Sequence, residues 1–238
     1  LVGGQVADAG ALSGLWNAVN VGDLDGDGRL DLILGNCGGN TAWQIFGLPW
    51  IASHTDLDGD GTEDILTGFA EPSLSTSAAS SLSGFRPMHG LGVLAASVPS
   101  LRQNHRSHQA FANASLEPIL GQESSRIPRL TVRWTASCIL LQRSGAWEVR
   151  RLPDLAQASP VQGIAVADWD GDGVEDLFLS QNDFGPNHGM TRDDAGLGLL
   201  LRGRGDGSFD ALSPEASGIR MEGEGRAATV ADFDQDGR

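Results

Sequence analysis

The chain has 238 residues, a formal net charge of −15 and 33 glycines, and all 16 of its basic residues are arginine. A strongly acidic chain is a poor partner for nucleic acid, whose phosphates attract basic surfaces. The absence of lysine excludes a P-loop lysine and Schiff-base chemistry. No run of about 18 apolar residues is present, so no membrane-spanning segment is predicted.

The first predicted element is a strand, an acidic turn and a second strand. An apolar stretch at residues 18–21 leads into the turn 23–31, and a short apolar run at 32–34 follows it. Short apolar runs bounded by turn residues are typical of buried strands. Glycine at positions four and six of the turn permits a sharp bend. The predicted metal ligands are the side chains of Asp23, Asp25, Asp27 and Asp31 and the carbonyl oxygen of Arg29.

The same pattern occurs three more times. The turns 56–64 and 168–176 repeat all nine positions, and a fourth turn begins at residue 232 but lacks its ninth-position acid. The second set of predicted ligands is Asp56, Asp58, Asp60, the carbonyl oxygen of Thr62 and Asp64. The third set is Asp168, Asp170, Asp172, the carbonyl oxygen of Val174 and Asp176. The fourth set is Asp232, Asp234 and Asp236, and this incomplete site is expected to be weak.

The chemistry of these turns favours calcium. Carboxylates at alternate positions repel one another unless a cation lies between them, and an all-oxygen set without Cys or His favours calcium over zinc. An EF-hand would need an acid at position twelve, which here is Leu34, Thr67 or Leu179. Position two is always apolar, and its side chain is expected to lie in the core. The residues at position two are Leu24, Leu57, Trp169 and Phe233.

The longest gap separates the second and third turns, and it is predicted to hold an additional, partly helical segment. Residues 71–84 are rich in Ser and Ala and are predicted to form a loop. A helix is predicted to begin at the N-cap Ser100. One face of that helix is formed by Leu101, His108, Phe111, Ser115 and Ile119. Hairpins are predicted within residues 130–149 and 197–209.

Other residues leave alternatives open. His105 and His108 have a spacing that can hold a metal, but without a third ligand nearby they fit solvated or half-buried helix positions as well. Cys37 and Cys138 fit either one disulfide or two buried thiols. The polar turn 181–194 is a candidate ligand surface or an insertion that packs on a neighbouring sheet.

The strand, the Asp-x-Asp-Gly-Asp-Gly-x-x-Asp turn and the apolar strand after it resemble the FG-GAP and VCBS repeats of integrin-type β-propellers. Residues 14–17, 35–40 and 160–168 are similar to bacterial VCBS proteins that often carry an ASPIC/UnbV domain. The resemblance implies an all-β fold of propeller blades, each with a cation in the turn between its first two strands. It implies no catalytic activity.

Three segments are predicted. Residues 1–70 form the first blades with two calcium loops, residues 71–129 form a loop and helical insertion, and residues 130–238 form further blades with the third loop and the truncated fourth. The residues between the first and second loops are expected to form one compact blade. Because the chain begins without methionine and ends inside the fourth motif, it is predicted to be a fragment of a longer protein.

The predicted function is that of a non-catalytic, calcium-binding module of an exported protein, located outside the cell, on its surface or in the periplasm. Its partner is expected to be a protein or a glycan bound through the loop face. The alternative is the propeller part of a polysaccharide hydrolase or lyase, which would need two convergent carboxylates that are not metal ligands. The clustered acids outside the turns, which lack an evident base partner, are Asp193, Asp194, Glu222 and Glu224.

Overall fold

The computed structural model describes residues 4–5, 9–70, 84–120, 127–185 and 192–232. Within these ranges the chain is mostly β. The strands are β1 Gly4–Gln5, β2 Ala18–Gly22, β3 Asp31–Gly35, β4 Trp50–Thr55, β5 Asp64–Ala70, β6 Phe85–Pro87, β7 Arg129–Val132, β8 Cys138–Arg143, β9 Ala146–Arg151, β10 Val161–Ala167, β11 Asp176–Gln181, β12 Leu199–Gly203 and β13 Phe209–Ala211. The α-helices are α1 Leu91–Ser97, α2 Ser100–Asn104, α3 His108–Ala112, α4 Leu116–Leu120 and α5 Pro214–Ser217. The predicted all-β class is confirmed, and none of the described helices is long and apolar enough to cross a membrane.

The chain folds into two compact units. The first unit is Leu1–Ala42 together with Thr135–Arg238, and the second is Trp43–Trp134. The second unit is therefore an insertion between β3 and β8. These boundaries follow the sheets and do not coincide with the predicted segments 1–70, 71–129 and 130–238.

The first unit contains two antiparallel sheets with strand orders β1-β9-β8-β3-β2 and β10-β11-β12-β13. Strand β3 pairs with β2 across the first acidic turn and with β8 on its other side, in the register Leu32↔Leu140. The prediction of one compact blade between the first two turns is therefore wrong. Strand β8, with which β3 pairs, follows the whole second unit in the sequence.

Both predicted hairpin turns are present in the first unit, but the first hairpin begins at Cys138, because the strand signal near residue 130 belongs to β7, which pairs with β4 in the second unit. Strands β8 and β9 turn at Ser144 and Gly145, which have φ angles of 33° and 91°. Strands β12 and β13 pair in the register Leu201↔Ala211. The core of this unit is aliphatic, and its fully buried side chains include Leu24, Ile33, Leu141, Val161, Leu177, Leu179 and Leu201.

The second unit is one sheet, with the order β6-β5-β4-β7, and four short helices. Ile51 of β4 and Leu66 of β5 share an apolar core with residues of all four helices. Three members of the predicted helical face are buried, namely Leu101, Phe111 and Ile119.

The continuous helix predicted from Ser100 is wrong. The segment is divided into α2, α3 and α4, because the Ser107 hydroxyl accepts the Ala110 N–H and begins a new helix at His108. The N-cap of α2 is Pro99, so Ser100 lies inside the helix. His108 is exposed and Ser115 is half-buried, so these two residues do not share the buried face. Helix α1 was not predicted.

Replacing Leu116 by alanine is expected to lower the free energy of unfolding of the second unit by about 2–5 kcal/mol. The Leu116 side chain is 0% exposed and lies against the backbone of Gly68 in β5. Leu130→Ala removes the same atoms from a side chain that is 70% exposed, and it is expected to cost no more than about 0.5 kcal/mol. Urea unfolding of both variants measures the difference. Equal losses would contradict the position of the core.

Candidate metal sites

Each of the three complete acidic turns joins two antiparallel strands. The first turn joins β2 to β3, the second joins β4 to β5 and the third joins β10 to β11. In each case the ninth residue begins the second strand and pairs with the residue before the turn. The pairs are Gly22↔Asp31, Thr55↔Asp64 and Ala167↔Asp176. The predicted strand, turn and strand are thus present at all three places.

The first aspartate of each turn organises the backbone around it. In the first turn the Asp23 carboxylate accepts the N–H groups of Asp27 and Gly28, at 3.0 and 2.9 Å. Asp56 and Asp168 each accept three N–H groups from positions four, five and six of their own turns. The bond from the Gly61 N–H, together with the neighbouring N–H bonds, lowers the pKa of Asp56. These bonds favour the ionised carboxylate and close the turn upon it.

The glycines at position six have the backbone conformation that this closure requires. Gly28, Gly61 and Gly173 have φ angles of 82°, 87° and 85°. A left-handed backbone is costly for residues that carry a Cβ, so glycine is preferred there. The carboxylate of the aspartate at position five then accepts the N–H of the residue at position seven. The distances are 3.0 Å for Asp27, 2.7 Å for Asp60 and 2.9 Å for Asp172.

The aspartate at position nine connects the turn to the sheet through hydrogen bonds. Its Oδ2 accepts the position-two N–H in all three turns, at 3.0, 3.1 and 3.0 Å. In the first and third turns Oδ1 also accepts an N–H from the neighbouring strand. Gln142 of β8 donates to Asp31, and Gly203 of β12 donates to Asp176, both at 2.8 Å. Burial raises the pKa of Asp31 despite these two bonds.

In the second turn, no described residue of a neighbouring strand donates a backbone N–H to the aspartate at position nine. Strand β6, the neighbour of β5, ends at Pro87, opposite Gly68 and well before Asp64. Among the described residues, Asp64 accepts a backbone N–H only from Leu57. Asp64 is half-buried, whereas Asp31 and Asp176 are 0% and 3% exposed.

The turns bring carboxylate oxygens together. In each of three groups, one ligand atom per residue lies within 4.8 Å of the others. The groups are Asp23, Asp25 and Asp27, then Asp56, Asp58 and Asp64, and then Asp168, Asp170 and Asp176. Thus positions one and three always converge, joined by position five or nine. The carbonyl oxygens of Arg29, Thr62 and Val174 stay predicted ligands.

Asp25 supports a cation in the first turn. Its side chain is 7% exposed, yet none of the described residues donates a hydrogen bond to its Oδ1. A buried carboxylate oxygen without a partner is costly, and a divalent cation between Asp23, Asp25 and Asp27 would satisfy it. The donor set of each turn consists of oxygens alone, which fits calcium.

The position-two side chains differ from the prediction in one turn. Leu24 is 1% exposed, and Leu57 packs partly buried against the core of the second unit. Trp169 is 40% exposed, so its predicted place in the core is wrong. Its indole ring instead meets the edge of Phe178, with the ring centroids 6.3 Å apart. Phe233 lies outside the described residues.

The fourth turn is described only at its first residue. Asp232 is exposed, and Asp234 and Asp236 lie outside the described residues. The apolar residues 227–231, which precede this turn, do not form a strand.

Three residues near the turns were not predicted as site residues. Arg143 forms ion pairs with Asp25 and Asp27, and Arg202 does so with Asp170 and Asp172. The Glu175 carboxylate, at position eight of the third turn, lies against Gly22, the residue before the first turn. Burial raises the pKa of Glu175, and its Oε2 forms no hydrogen bond with any residue that the structure describes. No spacing in the sequence reveals these contacts, because each depends on how separate strands pair or pack.

Within the part of the chain that the structure describes, no histidine or cysteine belongs to a group of residues that could hold a metal ion. His105 lies edge-on to Phe111, with ring centroids 5.1 Å apart, and His108 is exposed. Neither belongs to a metal-binding group among the described residues. Cys37 and Cys138 are both buried and are not joined in a disulfide, and burial raises the pKa of Cys37 to about 12.

The turn 181–194 follows β11 and so lies at the opposite end of its sheet from the third acidic turn. Asn182, which is buried and has a φ angle of 84°, binds the N–H and the carbonyl oxygen of Gly196 through its side-chain amide. Asp183 and Asp193 form an isolated antiparallel bridge. Residues 186–191 lie outside the described residues.

Glu224, Asp183 and Glu222, three of the acids near this turn, form hydrogen bonds or ion pairs with neighbouring residues. Glu224 accepts the Phe184 N–H at 2.8 Å and forms an ion pair with Arg226 at 2.5 Å. Asp183 accepts the Gly185 N–H at 2.9 Å, and Glu222 pairs with Arg220 at 2.8 Å. Burial raises the pKa of Asp193, and Asp194 is exposed.

No protein-family model, curated protein or solved structure matches this chain.

Asp176→Asn is expected to destabilise the first unit by about 1–3 kcal/mol when unfolding is measured in EDTA. An asparagine oxygen can replace only one of the two acceptors, so an NH₂ group would face a backbone N–H. Asp64→Asn, which can keep its bond to Leu57, is expected to cost about 0.5 kcal/mol or less in the second unit. Similar losses in both variants would contradict the proposed tie between Asp176 and β12.

Proposed function

We propose that the chain is a calcium-binding, non-catalytic part of an FG-GAP/VCBS-type β-propeller in an exported protein. The observation that carries this proposal is the shared geometry of the three turns. Each turn wraps its first aspartate in backbone N–H groups, brings carboxylate oxygens from several positions together and fixes the ninth aspartate to the sheet.

The blade interpretation is supported by the sheets. Strands β10 to β13 form a four-stranded antiparallel meander with the acidic turn between its first two strands. Strands β2, β3, β8 and β9 repeat that arrangement, with the second unit inserted after the second strand. Strands β4 and β5 repeat its first half.

The residues that would hold calcium are the aspartates at positions one, three, five and nine, with the position-seven carbonyl oxygen. Bound calcium would supply positive charge to each turn and so oppose carboxylate repulsion. Because the unfolded chain has no preformed site, calcium binding would stabilise the folded state. Exposed all-oxygen sites suit the millimolar calcium found outside cells, where extracellular modules bind with dissociation constants of about 10⁻⁴–10⁻³ M.

The proposed location is therefore extracellular, on the cell surface or in the periplasm. The proposed role is binding or scaffolding of a protein or glycan. The best-supported part of the loop face is the turn after β11, because Asn182 fixes its base while Arg192 and Asp194 at its far side are exposed. The Arg192 guanidinium lies 5.3 Å from the centre of the Phe184 ring, which gives this surface a polar and aromatic character.

Calcium is expected to raise the melting temperature in a thermal-unfolding titration that starts in EDTA. At a concentration about 100-fold above the dissociation constant, one site would add about 2.7 kcal/mol. Magnesium at the same concentration is expected to have a much smaller effect, because it requires stricter octahedral geometry. The combined variant D25A/D58A/D170A is expected to lose the calcium response.

A charge-matched control removes three exposed acids outside the turns, in the variant D154A/D194A/E222A. This control is expected to keep the full calcium response. An equal response to magnesium, or a calcium response that survives in the loop variant, would contradict calcium binding by these turns.

A further inference from the structure

Two of the three complete turns carry an arginine from a neighbouring strand. Arg202 of β12 pairs with Asp170 at 2.7 Å and with Asp172 at 3.7 Å. Arg143, at the end of β8, pairs with Asp25 and lies 3.5 Å from Asp27. In both turns the arginine therefore contacts the aspartates at positions three and five, which are proposed calcium ligands.

The sheet register explains why the arginines reach these positions. Leu201 pairs with Leu177, so Arg202 lies opposite Asp176, the ninth residue of the third turn. Arg143 follows Gln142, whose N–H binds the ninth aspartate of the first turn. The strand that ties the turn to the sheet thus also carries the counter-charge.

The second turn is different. Its neighbouring strand β6 ends at Pro87, before the level of the turn. Among the described residues, no arginine forms an ion pair with Asp56, Asp58, Asp60 or Asp64. The His54 imidazole instead contacts Glu63, at position eight, with an Nδ1–Oε2 distance of 2.6 Å.

We infer that Arg143 and Arg202 set the calcium affinity of the first and third turns. Each arginine is a tethered cation that competes with calcium for the carboxylates at positions three and five of its turn. This inference rests on the proposed calcium function. It has two consequences. The first and third turns bind calcium more weakly than the second, and they stay closed without calcium because an internal charge partly replaces it.

Electrostatics gives the size of the effect. A guanidinium about 6 Å from a divalent cation, in surroundings close to water in dielectric constant, changes its affinity by about tenfold. Arg202 is the better test residue, because its side chain is 51% exposed and its ion pairs are both with the turn. Arg143 also contacts Glu148, so its replacement would disturb a second pair.

The chain offers a matched control directly after the same strand. Arg204 lies two residues after Arg202 and pairs with Asp210, outside the turns, at 2.5 Å. R202Q and R204Q therefore remove the same charge, the first from β12 and the second from the residue that follows β12. Only R202Q removes it from the third turn.

Terbium luminescence can report the third turn selectively. Trp169 is at position two of that turn, so it can transfer energy to a terbium ion bound beside it, and calcium displaces the ion. W169F is expected to abolish this signal, which identifies its source. R202Q is expected to lower the calcium dissociation constant of the third turn by about tenfold, while R204Q leaves it within about twofold; this constant is obtained from the half-displacement concentration together with the terbium affinity of each variant, measured separately.

Thermal unfolding of the same variants separates affinity from structure. R202Q is expected to melt below the wild type in EDTA, where it loses the internal counter-charge, but not in saturating calcium. A purely structural arginine would lower the melting temperature under both conditions, and that result, or an unchanged calcium affinity, would overturn the inference alone. A wild-type protein without any calcium-displaceable terbium signal would overturn the proposed calcium function as well.

Discussion

Repulsion among carboxylates is the constraint on which this fold depends. Each complete turn places four aspartates within nine residues, and at least three of them bring oxygens within 4.8 Å of one another. The chain meets part of that cost itself. Backbone N–H groups bind the carboxylates at positions one and nine, and in two turns an arginine side chain contacts the carboxylates at positions three and five. A divalent cation is the remaining source of positive charge that fits an all-oxygen site.

The same carboxylates connect the turns to the sheets. Asp31 and Asp176 each join the backbone of their own turn to the next strand, so the third strand of the sheet is held at the point where the turn begins. The second turn has only half of this connection and no arginine partner among the described residues. One sequence motif therefore gives two kinds of site, which differ in how far the surrounding sheet supports them.

Local features of this structure could be predicted from the sequence. The acidic turns follow from the spacing of Asp and Gly, and the hairpin at Ser144 and Gly145 follows from a turn signal between apolar runs. Long-range features could not be predicted in this way. Nothing in β3 indicates that its next neighbour is β8 rather than a strand in the following residues, because strand pairing is decided by tertiary packing.

The errors at individual residues have the same origin. Trp169 was expected in the core because the equivalent Leu24 is apolar, but the larger indole lies 40% exposed against Phe178. The helix predicted from Ser100 is interrupted because Ser107 caps a new helix, a local bond that competes with helix continuation. Arg143 and Arg202 gain their contacts only through the sheet register, so the spacing of the motif cannot reveal them.

The most direct test of the account is a crystal structure grown in millimolar calcium, with anomalous diffraction recorded at a long wavelength. The account predicts one anomalous peak inside each of the three complete turns. Each ion would have carboxylate ligands from positions one, three, five and nine and the position-seven carbonyl oxygen, at about 2.3–2.6 Å. Turns that keep the geometry described above but show no anomalous peak at that calcium concentration would contradict the central claim.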